Sequence, residues 1–149
     1  LKYETSKGRI VYGGGGIMPD YFIPLDTSRN VGNFFSELIT TNVFREYTLL
    51  YYETNKDKLE KMPFAKYYEN FEVTDKMLED LVAMAKDAGI EYDKDEFEES
   101  RPILKSRIKA WVGRSVWGND AFYQIIYQDN EIFQRALELF GEAEKLASR

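Results

Sequence analysis

The sequence predicts a mainly α-helical fold, a domain of five or six helices over residues 28–149 preceded by a short β segment over residues 1–27. Three observations carry this expectation. From Ser28 onward apolar residues recur at steps of three and four, the period of a helix with one buried face. Residue types that start and stop helices stand at the ends of those periodic runs. The first 27 residues instead hold two of the four prolines, a tetraglycine and short β-favouring runs, a texture that helices do not share.

Taken in order, Leu1–Glu4 and Arg9–Tyr12 flank Thr5-Ser6-Lys7-Gly8, a four-residue connection with glycine where a positive φ suits the turn. This reads as a hairpin, with Gly13–Gly16 following as a flexible loop. Asp20–Pro24 reads as a third short strand ended by Pro24. Three such strands cannot bury a core alone, so they are expected to pack against the helices or against a sheet supplied from elsewhere. The second arrangement is the one favoured here.

Phe34, Phe35, Leu38 and Ile39, then Phe44, Tyr47 and Tyr51, predict helices over about 29–41 and 43–61, broken at Asn42 and ended by Pro63. Thr74 is positioned as the N-cap of a helix carrying Leu78, Leu81, Val82 and Ala85, with Gly89 at its C-terminus. Asp93 with Glu96 three residues on reads as a capping box for the next helix, which Pro102 is expected to kink or divide. Leu104, Ile108, Trp111, Val112 and Ser115 then keep one face until Gly118. A short helix with Phe122, Ile125 and Ile126 follows, capped by Asn119 or Asp120. A last helix over about 130–147 aligns Phe133, Ala136, Leu137, Phe140 and Ala143. Trp111, on the apolar stripe, is expected to be buried.

Composition excludes several kinds of chemistry. The 149 residues contain no Cys and no His, which removes thiolate nucleophiles, disulfides, zinc ribbons and the commonest general base. A net charge of −6 opposes binding to a phosphate backbone, so no nucleic-acid partner is expected. The longest apolar run, Leu81 to Ala85, is far too short to span a bilayer. Leu1-Lys2-Tyr3 opens without an initiator Met or a signal-peptide pattern and reads as a processing or cloning boundary.

The candidate constellations each have a plainer account. A phosphate loop needs glycines leading into a helix, whereas the tetraglycine leads through Ile17-Met18-Pro19-Asp20 toward a strand. The acidic run Asp93, Asp95, Glu96, Glu98, Glu99 fails as a calcium loop. Counting from Asp93, the sixth position is Glu98 instead of Gly and the twelfth is Leu104 instead of Glu. Negative charge favoured at a helix N-terminus accounts for it better. Arg101, Lys105 and Lys109, with Arg107 and Arg114 on a neighbouring stripe, form either a solvated helix face or a face that docks an acidic surface. Ser6 and Lys7, adjacent on a turn, point apart and cannot activate one another. No catalytic, cofactor-binding or metal-ligating residue is therefore assigned within this chain, and no cofactor is expected.

One stretch, Gly8-Arg9-Ile10-Val11-Tyr12-Gly13-Gly14-Gly15-Gly16-Ile17-Met18-Pro19-Asp20, resembles the segment after the catalytic lysine in carboxyl-terminal processing (tail-specific) serine proteases. There a Gly-Arg strand is followed by Gly-Ile-x-Pro-Asp, which here are Gly8, Arg9, Gly16, Ile17, Pro19 and Asp20. The runs Phe44–Tyr52, Ala110–Gly118 and Asp120–Tyr123 are similar to that family more loosely. The resemblance implies a parent hydrolase of the bacterial envelope or periplasm, with a Ser nucleophile and a Lys base that both precede Leu1. It implies as partners the upstream catalytic and PDZ domains of the same polypeptide, peptide or protein substrates of the parent, and a possible homo-oligomer. Residues 1–27 would then be the last strands of the protease core, and 28–149 a helical domain that braces it or mediates self-association. The alternative is an independent helical adaptor that binds a protein partner.

Overall fold

The structure, a computed structural model, describes residues 2–6, 8, 10–15, 21–24 and 32–147, the side chains of residues 146 and 147 excepted. It is mainly helical, with one two-stranded antiparallel sheet near the N-terminus. The chain divides into two compact units, residues 27–130 and, together, residues 1–26 and 131–149. The sequence boundary had joined 131–149 to the helical domain.

In the unit formed by the two ends of the chain, strands β1 (Lys2–Glu4) and β2 (Ile10–Tyr12) pair antiparallel with Tyr3 opposite Val11. The Gly8 amide donates to the Thr5 carbonyl at 2.9 Å and closes the expected turn. Tyr21–Pro24 carry no strand; the rest of the expected third strand lies outside the described residues, as do Arg9, Gly16, Ile17, Pro19 and Asp20. At the other end of the chain, the single helix expected over 130–147 is two, here called the C-terminal pair, Glu131–Glu138 and Phe140–Ala147, with a turn at Leu139. The Tyr21 hydroxyl donates to Glu142 Oε2 within this unit.

The unit of residues 27–130 begins with α1 (Gly32–Thr40) and α2 (Val43–Leu59). Asn42 separates them in a left-handed conformation that asparagine tolerates better than most residues, as its place between two periodic runs predicts. Pro63 does not follow the end of α2 directly. That helix stops at Leu59, and Pro63 instead opens a short helix, α3 (Phe64–Asn70), where its fixed φ and missing amide proton cost nothing. In α4 (Asp75–Asp87) the Thr74 hydroxyl accepts from the Met77 amide at 3.3 Å. At its other end the Ile90 amide reaches the Ala85 carbonyl and the Gly89 amide reaches Lys86, with Ile90 buried beneath the turn.

The long helix α5 (Lys94–Ile126) organises the unit. It is not divided at Pro102; its one position with non-helical φ and ψ is Gly118 (φ 79°, ψ −164°), where the sequence places the stop. Residues after Gly118 return along the helix, so that Phe122 meets Trp111 and Ile125 meets Gly113. The core is one cluster. Phe34 and Leu38 come from α1, Phe44 and Tyr47 from α2, Tyr67 from α3, Leu78 and Leu81 from α4, and Leu104, Ile108, Val112 and Ile125 from α5. Several residues of the expected stripes depart from it, Ser115 among them, which is exposed. Trp111 is only partly buried and packs on the edge of the core, and Ile39 is largely exposed. The inward stripe of α5 runs through Leu104, Ile108 and Val112, and the next turn of that helix brings Trp111 to its margin.

Candidate functional site

The acidic run at the start of α5 serves structure. Asp93 Oδ1 accepts from the amides of Asp95 and Glu96, both at 2.9 Å, which satisfies two of the donors a helix start leaves free. Glu96 does not close the capping box. Its carboxylate turns to α1, where Oε2 accepts from the Phe34 amide at 3.1 Å. Among the described residues no group of Asp and Glu is arranged to hold a metal ion.

The basic residues of α5 also separate once their partners are seen. Arg101 reaches Asp75 at 2.6 Å and Glu98 at 2.9 Å, and Lys105 lies 3.4 Å from the same Asp75 carboxylate. Hydrogen bonding and charge from Arg101, joined by Lys105, hold the Asp75 carboxyl below the usual aspartate range. Lys109 donates from Nζ to the Tyr68 carbonyl at 2.6 Å, and burial lowers its pKa. These three cations therefore tie α5 to α3 and α4. Arg107 and Arg114 do not share those contacts.

Beside Pro102 the structure opens a cavity of about 350 Å³ between the α3–α4 connection and α5. Ser106, Lys109, Glu72 and Asp129 all line it, so it is the place where a nucleophile and a base could meet. They do not meet. Lys109 Nζ is committed to the Tyr68 carbonyl, and the Ser106 hydroxyl finds no base among the described residues. The cavity thus has polar walls but no activated pair. Lys7 lies outside the described residues, so the Ser6–Lys7 turn is not described further.

Two buried tyrosines, Tyr47 on an expected stripe and Tyr67, which the sequence did not single out, differ in their hydroxyls. Tyr67 donates to the Lys109 carbonyl at 2.7 Å, its ring stacked on Phe71 at 4.4 Å and tilted against Trp117 at 4.8 Å. The Tyr47 hydroxyl is buried without a partner, and burial, then the nearby Asp80 charge, raises its pKa. Sequence reasoning missed Asp75, Glu96 and Tyr68 as partners because all three act across long separations.

The geometry defines a helical packing domain without an assembled catalytic centre among its described residues. Residues 34–118 match a family described as "Family of unknown function (DUF8443)". The match covers more than half of the chain, and the chain belongs to that family. No curated protein and no solved structure matches it. Among the described residues, no helix is long and apolar enough to cross a membrane.

Proposed function

We propose that this chain is the non-catalytic carboxyl-terminal part of a Ser–Lys tail-specific protease of the bacterial cell envelope. In this reading residues 1–27 contribute strands to the catalytic sheet, and the helical unit braces the catalytic domain or mediates self-association. The observation that carries it is the state of the hairpin. All six residues of β1 and β2 are exposed, and both are edge strands with no third strand beside them among the described residues. A two-stranded ribbon is marginal in water, and open edges seek a partner strand. Most of the large exposed apolar side chains also fall in residues 1–26 and 131–149, among them Tyr12, Phe22, Leu137 and Phe140. Such surface is expected where a chain meets the rest of its fold.

The coding sequence upstream of Leu1 tests the proposal. A serine followed by a Gly-flanked lysine is expected, and their absence overturns it. A second reading, an independent helical adaptor, draws on the closed core of residues 27–130 and on a family match that falls inside it. Deleting residues 1–27 tests whether the strands close a core of this chain: the protease-limb reading expects no loss of stability in the helical unit, and a loss of several kcal/mol, on the order of 3, would contradict it.

A further inference from the structure

The face of α5 that the internal ion pairs leave free has a composition of its own. Arg107, Trp111 and Arg114 follow at steps of four and three, so they are neighbours on one side of the helix. The Arg114 guanidinium lies 4.9 Å over the Trp111 ring and 5.7 Å from Phe122. The rings then continue outward. Trp111 meets Phe122 edge-on at 5.5 Å, Phe122 meets Tyr123 at 5.3 Å, and Tyr123 stacks on Tyr127 at 5.6 Å with 22° between planes. Tyr123 is 50% exposed. Arg107 is half-buried, burial lowers its pKa, and among the described residues it meets no carboxylate, carbonyl or ring. A guanidinium drawn partly out of water without an acceptor is unfavourable, and its planar fork matches a carboxylate.

We infer that this face docks an acidic, apolar segment of a protein partner, with Arg107 receiving a carboxylate and the Trp111–Phe122–Tyr123 rings receiving its apolar side chains. Charge complementarity selects the occupant. Among the described residues these two arginines have no counter-ion, in a chain of net charge −6. Trp, Tyr and Arg are also the residues that most often dominate binding energy at protein interfaces. A second copy presenting the same face would set Arg107 and Arg114 against their own counterparts. A single-stranded nucleic acid could stack on the rings, but it needs a continuous basic track, and Arg101, Lys105 and Lys109 are already engaged. The inference stands apart from the protease reading, since it concerns only the helical unit.

The test uses the full chain and a fluorescein-labelled peptide, Glu-Leu-Asp-Phe-Glu-Leu, read by anisotropy against its amide counterpart Gln-Leu-Asn-Phe-Gln-Leu. The acidic peptide is expected to bind at least about tenfold tighter, with the difference shrinking as salt rises. Arg107→Gln is expected to abolish the preference, Arg107→Lys to retain part of it, and Arg114→Gln to weaken binding severalfold. Arg45→Gln, an exposed change on α2, should leave binding unchanged. Should Arg107→Gln fail to fold, Arg114→Gln and the shift of the Trp111 indole proton on adding peptide decide the matter. Equal binding of the two peptides overturns the inference, as does no binding up to about 1 mM. So does a preference that survives both arginine changes, or tighter binding of a labelled oligothymidylate.

Discussion

Replacing Gly113 with alanine tests the packing on which the helical unit depends. In an exposed helix the change would stabilise by about 1 kcal/mol, because glycine gives up more backbone freedom on folding than alanine. Gly113, however, is buried where the segment after Gly118 returns. An added Cβ would lie 3.1 Å from Ile125 Cδ1 and 3.2 Å from Tyr67 Cε1, inside the 3.5–4.0 Å of an ordinary carbon contact. The isoleucine methyl can rotate away. The tyrosine ring cannot, since it is fully buried, hydrogen-bonded to the Lys109 carbonyl and set against Phe71 and Trp117. Overpacking of this kind costs about 1–3 kcal/mol, which exceeds the local gain. The expected net loss is therefore about 1 kcal/mol, read by urea denaturation followed by circular dichroism and tryptophan emission. Ile125→Val, which costs about 0.5–1.5 kcal/mol alone, should cost less in the Gly113→Ala background because it removes the clashing methyl. Stabilisation by Gly113→Ala would refute the close approach of α3, α5 and the returning segment.

The remaining expectations use the same assay unless stated. Gly118→Ala should destabilise by about 1–3 kcal/mol for a different reason: nothing crowds its Cβ, but φ 79° and ψ −164° form a conformation that essentially only glycine adopts. The two core tyrosines should respond oppositely to removal of the hydroxyl. Tyr67→Phe is expected to lose about 1 kcal/mol, and Tyr47→Phe to be neutral or to gain about 1 kcal/mol because an unpaired buried hydroxyl disappears. The Asp75 carboxyl, depressed by its hydrogen bond and charge contact with Arg101, contributes stability above the ordinary aspartate range and loses it as pH falls through the depressed value. In Arg101→Gln the Asp75 titration, followed by NMR, should move upward, and an unmoved midpoint would contradict the pairing.

What the sequence disclosed and what it concealed follow from distance along the chain. Thr74 and Asp93 were legible as caps because their partners lie two or three residues away. Gly118 was legible because the helical period stops there and resumes in a new phase. Of the two outcomes expected at Pro102, a kink or a division, division does not occur, since α5 keeps helical φ and ψ there and departs from them only at Gly118. Glu96 misled for a tertiary reason. Its local partner was plausible, but the α1 amide it caps is 62 residues away. The basic stripe showed as spacing, yet only the fold distinguishes Lys109, held by a carbonyl 41 residues distant, from Arg107, held by nothing described. Of the six residues that carry the family resemblance, all but Gly8 lie outside the described residues, so its reading still depends on sequence pattern.

Amide hydrogen exchange on the isolated chain probes the central claim, that the hairpin belongs to a sheet this chain does not complete. The amides of Tyr3, Glu4, Ile10 and Val11 are expected to exchange at nearly unstructured rates, while those of Leu104, Ile108 and Val112 are slowed by at least about a thousandfold. Hairpin amides as slow as those of α5 would mean that the strands are closed within the chain's own fold, and the account would be contradicted.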